Sequence, residues 1–323
     1  MRPTDLFISV IVPCFNEEPV IEVTYQRLTA VMRGHFGRYE LLFINDGSRD
    51  RTFSILKTLA ATDSNVRVLS FSRNFGHQPA VTAGLQHCGG DVAIIIDADL
   101  QDPPELFPEM VGIYLREGAN VVYAVRQQRK GESAFKKLTA RLFYRTINYL
   151  SEVPLPLDTG DFRLVDRKVI DEFRRLGERN KYIRGLISWL GFKQVPVYYV
   201  REERYAGETK YPLSKMLKFA RTSLLYFSKK PLKVALGMGL LSTLAGLVLA
   251  LWVLWLVVFH PDRVVPGWAS SVVSVVFFGG VQLLTIGVMG EYIGSLFDEV
   301  KRRPEYVVDE RINFEEAGLK SEV

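Results

Sequence analysis

"VAIIIDADLQDPPE", residues 92–105, runs five apolar residues into an alternating pair of carboxylates, a glutamine and two prolines. So short and apolar a run reads as a strand buried on both faces of a parallel sheet. Its C-terminal end then carries Asp97 and Asp99 to the surface with nothing local to neutralise them, so a positive group belongs there. Outward from this stretch the pattern repeats: "LFISVIVP" (6–13), "YELLFIND" (39–46), "VRVLSFS" (66–72) and "ANVVYAV" (119–125) are strand-like. Between them lie segments of helical length and period, such as "EEPVIEVTYQRLTAVMR" (17–33) and "RTFSILKTLAAT" (51–62). That alternation specifies an α/β domain with a mainly parallel sheet, in which ligands bind beyond the carboxyl ends of the strands. Polar residues stand at those ends: Asn16 and Glu17, then Asp46, Arg73, Asp97 with Asp99, and Arg126. Recurrence across all five strand ends describes a site.

The chain has 323 residues, is 48% hydrophobic and carries a formal net charge of +5. That is apolar enough that the excess must be local. No charged residue occurs from Val234 to Phe259 or from Trp268 to Met289, and at ~1.5 Å per residue either stretch can cross a hydrocarbon core of roughly 30 Å. Two transmembrane helices are therefore expected, at 232–260 and 267–291. Lys229, Lys230 and Lys233 precede the first, and Lys301, Arg302 and Arg303 follow the second, placing both termini and the α/β domain in the cytoplasm. Before the membrane, residues 211–231 place Leu213, Met216, Leu217, Ala220, Leu224 and Phe227 at helical spacing among lysines and arginines, as in an amphipathic helix on an anionic membrane surface. The basic excess gathers where the chain meets lipid, which excludes nucleic acid as a partner. Two cysteines, Cys14 and Cys88, are too few for a disulfide framework or a four-ligand zinc site. Asp5 precedes the first apolar run and no small-residue cleavage site follows it, so that run is a strand and not a signal peptide.

"VPCFNEE", "INDGSRD", "DADLQDPPE", "DTGDFR" and "RYAGETKYP", in this order before a membrane segment, resemble the polyprenyl-phosphate glycosyltransferases, GT-A enzymes of glycosyltransferase family 2. The resemblance implies a GT-A catalytic domain over 1–210 and a cytoplasmic tail over 292–323. It implies inverting transfer of a hexose, glucose from UDP-glucose foremost, to a polyprenyl (undecaprenyl) phosphate. Another donor, GDP-mannose, UDP-GlcNAc or a UDP-aminoarabinose derivative, is the alternative; a non-catalytic membrane scaffold is the non-enzymatic one. A homo-oligomer, such as a tetramer, is compatible with it. A processive polysaccharide synthase lacks support because no Gln-x-x-Arg-Trp signature is present, and a nicotinamide enzyme because "VPCFNEE" stands where a glycine-rich loop would be.

Carried over position by position, the resemblance assigns Asp97, Asp99 and Gln101 to a divalent cation, Mg²⁺ or Mn²⁺, bridging the donor diphosphate. These three alternate, so they converge if the strand stays extended as it leaves the sheet. Pro13, Phe15, Glu17 and Asp46 fall to the base and ribose, with Glu17 alternatively a helix-start charge. Arg73 falls to the nucleotide or sugar, or alternatively to a surface salt bridge. Arg126, Arg204 and Lys210 fall to the lipid phosphate, which arginine's fork suits. Asp99 acts with the departing diphosphate, and Asp158 is either a base or an orienting group. Asp161 is a helper or a turn residue, His77 a loop residue, and Asp102 a cap for the helix begun at Pro104.

Overall fold

The computed structural model describes residues 5–126, 159–178, 181–200, 230–259 and 267–314. The juxtamembrane helix expected at 211–231 lies almost wholly outside them, as do Asp158, Arg204 and Lys210.

The core is an eight-stranded sheet in the order β7-β5-β6-β4-β1-β2-β3-β8. Its strands are β1 (Phe7–Cys14), β2 (Arg38–Asn45), β3 (Val66–Phe71), β4 (Val92–Ile95), β5 (Val121–Arg126), β6 (Thr159–Asp166), β7 (Gln194–Tyr199) and β8 (Val308–Ile312). β1 pairs in parallel with β2 and β4, β2 with β3, and β5 with β7. β6 runs antiparallel between β4 and β5, and β8 antiparallel along β3. The four-residue β4 is buried throughout, as expected for a strand covered by helices on both faces. Those helices are α1 (Ile21–His35), α2 (Thr52–Thr62), α3 (His77–His87), α4 (Phe107–Glu117), α5 (Arg167–Arg175) and α6 (Ile183–Trp189). The packing of α3 on β1 requires a glycine: a Cβ at Gly84 would lie 2.2 Å from Ile11 Cγ2.

The reversed direction of β6 matters for the site. β1 to β5 present their C-terminal ends along one edge, and an antiparallel β6 brings its N-terminal residues, Thr159 to Asp161, to that same edge. Residues 159–163 of "DTGDFR" thus begin a strand, and Asp161 is no turn residue.

A second compact unit comprises residues 142–152 and 211–302. It contains two long helices, α7 (Lys230–Phe259) and α8 (Trp268–Val300). Within the described residues one stretch, Phe277–Val300, is long and apolar enough to cross a membrane, and Val234–Val248 forms a shorter apolar stretch. α8 runs past the boundary expected at 291. The tail is not a separate appendage either, since its β8 is the edge strand beside β3. Sequence alone left β8 unread because "VDERI" carries three consecutive charged residues, Asp309, Glu310 and Arg311, and is nowhere fully buried, as at the edge of a sheet.

Candidate active site

Two loops beyond the sheet edge are tied together. Asn16, in the left-handed region at φ 54°, donates its N–H to Ser48 Oγ (3.0 Å) and accepts at Oδ1 from the Arg49 N–H (2.8 Å). The Glu17 N–H donates to Thr52 Oγ1 (2.9 Å), and the Glu17 carbonyl accepts from Val20 and Ile21 to open α1. Pro13 is buried at the end of β1, and Phe15 and Glu17 are half-buried beyond it. Burial pushes the Cys14 thiol up, and the charges of Glu17 and Asp97 add to this, placing both carboxylates near the end of β1.

Asp46 has a partner set of its own. Its carboxylate accepts from the N–H groups of Phe75 (2.6 Å) and Gly76 (2.9 Å) and from Asn74 Nδ2 (2.8 Å), fixing the loop between β3 and α3. The same loop presses on Gly47, where φ is +61° and a Cβ would stand 2.3 Å from the Arg73 carbonyl carbon. Arg73 makes no surface salt bridge among the described residues. Its guanidinium lies 4.0 Å over the Phe75 ring and donates to the Asn74 carbonyl (3.1 Å). Asn45 donates to Ser70 Oγ (2.9 Å) inside the sheet, so this side chain serves packing.

The stretch after β4 does not stay extended. The chain turns at Ala98 and Asp99, Leu100 takes a left-handed φ of 58°, and Asp99 Oδ1 accepts from the Gln101 N–H (3.2 Å). Thr24 Oγ1 in α1 donates to the Ala98 carbonyl (2.8 Å), anchoring the turn. Convergence of Asp97, Asp99 and Gln101 by strand alternation is therefore incorrect. Gln101 is buried, and Asp97 and Asp99 flank a tight turn. Pro104 starts a short 3-10 turn leading into α4. Asp102 does not cap it, because its carboxylate is buried and accepts from the Tyr199 hydroxyl of β7. Arg126 Nε donates to the same Tyr199 oxygen (3.1 Å), and an Arg126 terminal nitrogen lies 4.0 Å from Asp102.

His77 is the residue most misread from sequence. It is the first residue of α3, and Nε2 lies 2.9 Å from Asp161 Oδ2 and 3.8 Å from Asp97 Oδ1. Asp161 in turn accepts from Arg184 Nε (2.6 Å) and from Gln78 Nε2 (3.5 Å). The burial of His77 opposes its charge, but the hydrogen bond to Asp161 and the field of Asp97 prevail and lift it to about 9. Asp161 is held well below the usual carboxylate range, since Arg184 and His77 overcome its desolvation. Asp97 goes the other way: desolvation, with Asp161, Asp102 and Asp99 adding repulsion, pushes it up to about 6 against the pull of His77. No linear motif links residues 77, 97, 161 and 184; only the reversed β6 brings them together.

Among the described residues no three His, Cys, Asp or Glu side chains are grouped to hold a metal ion by themselves. The donor set still fits a hard cation carried by a diphosphate, which asks the protein for only one or two carboxylates. Asp97 and Asp99 would supply them, and a cation would relieve both the desolvation and the added carboxylate repulsion that raise Asp97.

Comparison with known proteins agrees with this architecture. The glycosyl transferase family 2 profile matches residues 9–174, and a profile described as the GtrB C-terminal hairpin matches residues 230–296. An uncharacterized glycosyltransferase, YkcC of Bacillus subtilis (strain 168), is 51% identical over 96% of this chain and 96% of its own. The SfII prophage-derived bactoprenol glucosyl transferase of Shigella flexneri is 42% identical over 93% of this chain and 97% of its own. Among solved structures, a mannosyltransferase from Pyrobaculum calidifontis in complex with GDP-Man and Mn²⁺ aligns over 91% of this chain and 88% of that one, at 17% identity and a TM-score of 0.46.

Proposed function

The chain belongs to glycosyltransferase family 2, and from that premise we propose that it transfers glucose from UDP-glucose to undecaprenyl phosphate at the cytoplasmic membrane face. The observation that carries this reading is the charge layout along one sheet edge. Carboxylates Asp97 and Asp99 stand beyond β4, and Arg126 stands at the end of the next strand over but one, in a family 2 domain joined to an apolar hairpin. The relatives named bactoprenol glucosyl transferase match over nearly the whole chain, hairpin included, which favours a prenyl phosphate acceptor and glucose as the group moved.

In this reading Asp97 and Asp99 hold Mg²⁺ or Mn²⁺, with Gln101 nearby. When bound, the cation supplies charge stabilisation for the departing nucleoside diphosphate. The β1 and β2 loops, with Pro13, Phe15 and Glu17, line the nucleotide, while Asp46 and Arg73 shape the loop that closes over it. Arg126, with Arg204 and Lys210, takes the acceptor phosphate. That phosphate, with a second pKa of about 6, is largely ionised at neutral pH and attacks without a strong base. Asp158 then serves as an orienting group for sugar and acceptor.

Two membrane spans fit one further observation. The chain leaves the sheet after β7 and re-enters it as β8, so it crosses any bilayer an even number of times between them. α7 and α8 supply one crossing each, with basic residues outside both.

The test is a donor comparison. Purified protein with undecaprenyl phosphate and Mg²⁺ is offered UDP-glucose, UDP-GlcNAc and GDP-mannose in parallel; glucosyl lipid is the expected product. A preference for another donor revises the sugar, and absence of transfer from all donors overturns the enzymatic reading.

A further inference from the structure

The chain that emerges from α8 makes a buried contact with the catalytic domain before β8 begins. Glu305 pairs with Lys181, and the two side chains are only 8% and 5% exposed. Burial separates this pair from the surface ion pairs elsewhere on the domain, which hold little in place. Removing one partner of a buried pair leaves a desolvated charge, so geometry around such a pair is tightly held. The neighbouring Tyr306 stacks on Phe71 with centroids 4.8 Å apart and a 15° interplanar angle, and its hydroxyl bonds Gln86 and lies 3.4 Å from His87 Nε2.

Lys181 opens the segment that builds one wall of the active site. Two residues on, the Ile183 N–H donates to Gln78 Oε1 (3.0 Å), the side chain next to His77. Three residues on, Arg184 grips Asp161 (2.6 and 3.1 Å), and Asp161 holds His77 beside Asp97. The run from tail to site is thus Glu305, Lys181, Arg184, Asp161, His77 and Asp97, with side-chain contacts at every step except the short backbone span 181–184.

We propose that Glu305 and Lys181 are positioning residues: their ion pair fixes the 181–184 segment so that Arg184 and Asp161 orient His77 at the donor end of the active site. The assignment of that end to the donor rests on the glycosyl-transfer reading; the physical coupling does not. The segment between the second long helix and β8 is consequently not only a connection to a sheet edge but part of what shapes the reaction centre.

The chain has four histidines, so selective ¹⁵N-histidine labelling of the full-length protein in detergent gives a readable spectrum. The His77 side-chain signals are assigned by their absence in His77→Gln. His87, which touches Tyr306, reports independently whether the tail is docked. Glu305→Gln is compared with the double variant Lys181→Met/Glu305→Leu, which removes both charges and leaves no orphan in the interior. The Lys57→Met variant, which breaks the peripheral Lys57–Glu310 pair, is the control.

The expected result is that His77 Nε2–H exchanges with water roughly tenfold faster in both test variants, the size of couplings within one ion-pair network. His87 should be unchanged and Lys57→Met silent. In turnover, the rate constant falls while the Michaelis constant for lipid holds. An unmoved His77 signal in the test variants overturns the proposal. So does a joint shift of His77 and His87, because the pair would then act only by keeping the tail attached. The imidazole signal is read without donor, metal or lipid, so this outcome is separate from that of the donor comparison.

Discussion

Asp97 and Asp99 are separated by one residue, yet the fold gives them different surroundings. Asp97 sits against His77 with three other carboxylates in its field, whereas Asp99 lies on a turn closed by its own side chain. Both are needed if a cation bridges a diphosphate here, and neither holds up the core. Asp99→Asn should keep the hydrogen bond from Gln101 through its amide oxygen while losing the charge. We expect its transfer rate to fall by at least about a hundredfold, the scale of removing one electrostatic contact at a developing charge. Its thermal midpoint should stay at the parent value, and Mn²⁺ titration followed by electron paramagnetic resonance should show weakened binding. Retained activity in the presence of a chelator would remove the cation from the scheme. At this scale sequence was a partial guide. The strand-end carboxylates announced themselves because an apolar strand running into acids is a local pattern. His77, Asp161, Arg184 and Asp102 did not, because their meaning comes from neighbours that are 20 to 97 residues away.

The elements that place these residues were legible to different degrees. Five parallel strands and their helices were visible from periodicity, since each strand is apolar along its length and each helix has a regular apolar stripe. β6 was hidden inside a polar motif, and β8 behind three consecutive charged residues. The turn after β4 was missed because left-handed Leu100 has no signature of its own, unlike the glycines that usually mark such turns. Two expectations follow at this level. Gly84→Ala drives a methyl into Ile11 at the α3–β1 contact; overpacking of this kind costs about 1–3 kcal/mol or more. Chemical denaturation should show that loss with an unchanged slope. His87, at the end of α3 under the tail, is pushed down to about 4 by burial and by Arg311 and Arg174. Because the folded protein refuses a proton that the unfolded chain accepts near 6.5, this group's contribution is complete above pH 6.5. It is lost as pH falls towards 4, by up to ~3 kcal/mol. Thermal unfolding of the parent should therefore decline across that window more steeply than that of His87→Gln, and parallel curves would remove His87 as the cause.

For the whole molecule, the sheet holds both the strands that precede the long helices and the strand that follows them, which ties topology to fold. In the proposed two-span topology, Val264→Cys, between α7 and α8, should react with an impermeant thiol reagent added outside intact cells, and Ser321→Cys should not. Background is low because Cys14 and Cys88 are both buried. The opposite labelling pattern would reverse the orientation inferred from the flanking lysines and arginines. The late arrival of β8 also bears on how the protein is made. Residues 308–312 leave the ribosome only after both long helices have been synthesised, so until then β3 presents an open edge of unpaired N–H and C=O groups to every other nascent chain nearby. Closure of that edge by residues 308–312 makes completion of the sheet wait upon synthesis of both long apolar helices. A polypeptide that stalls or is cleaved before Val308 is thereby marked by an exposed strand, ready for chaperones, proteases or aggregation.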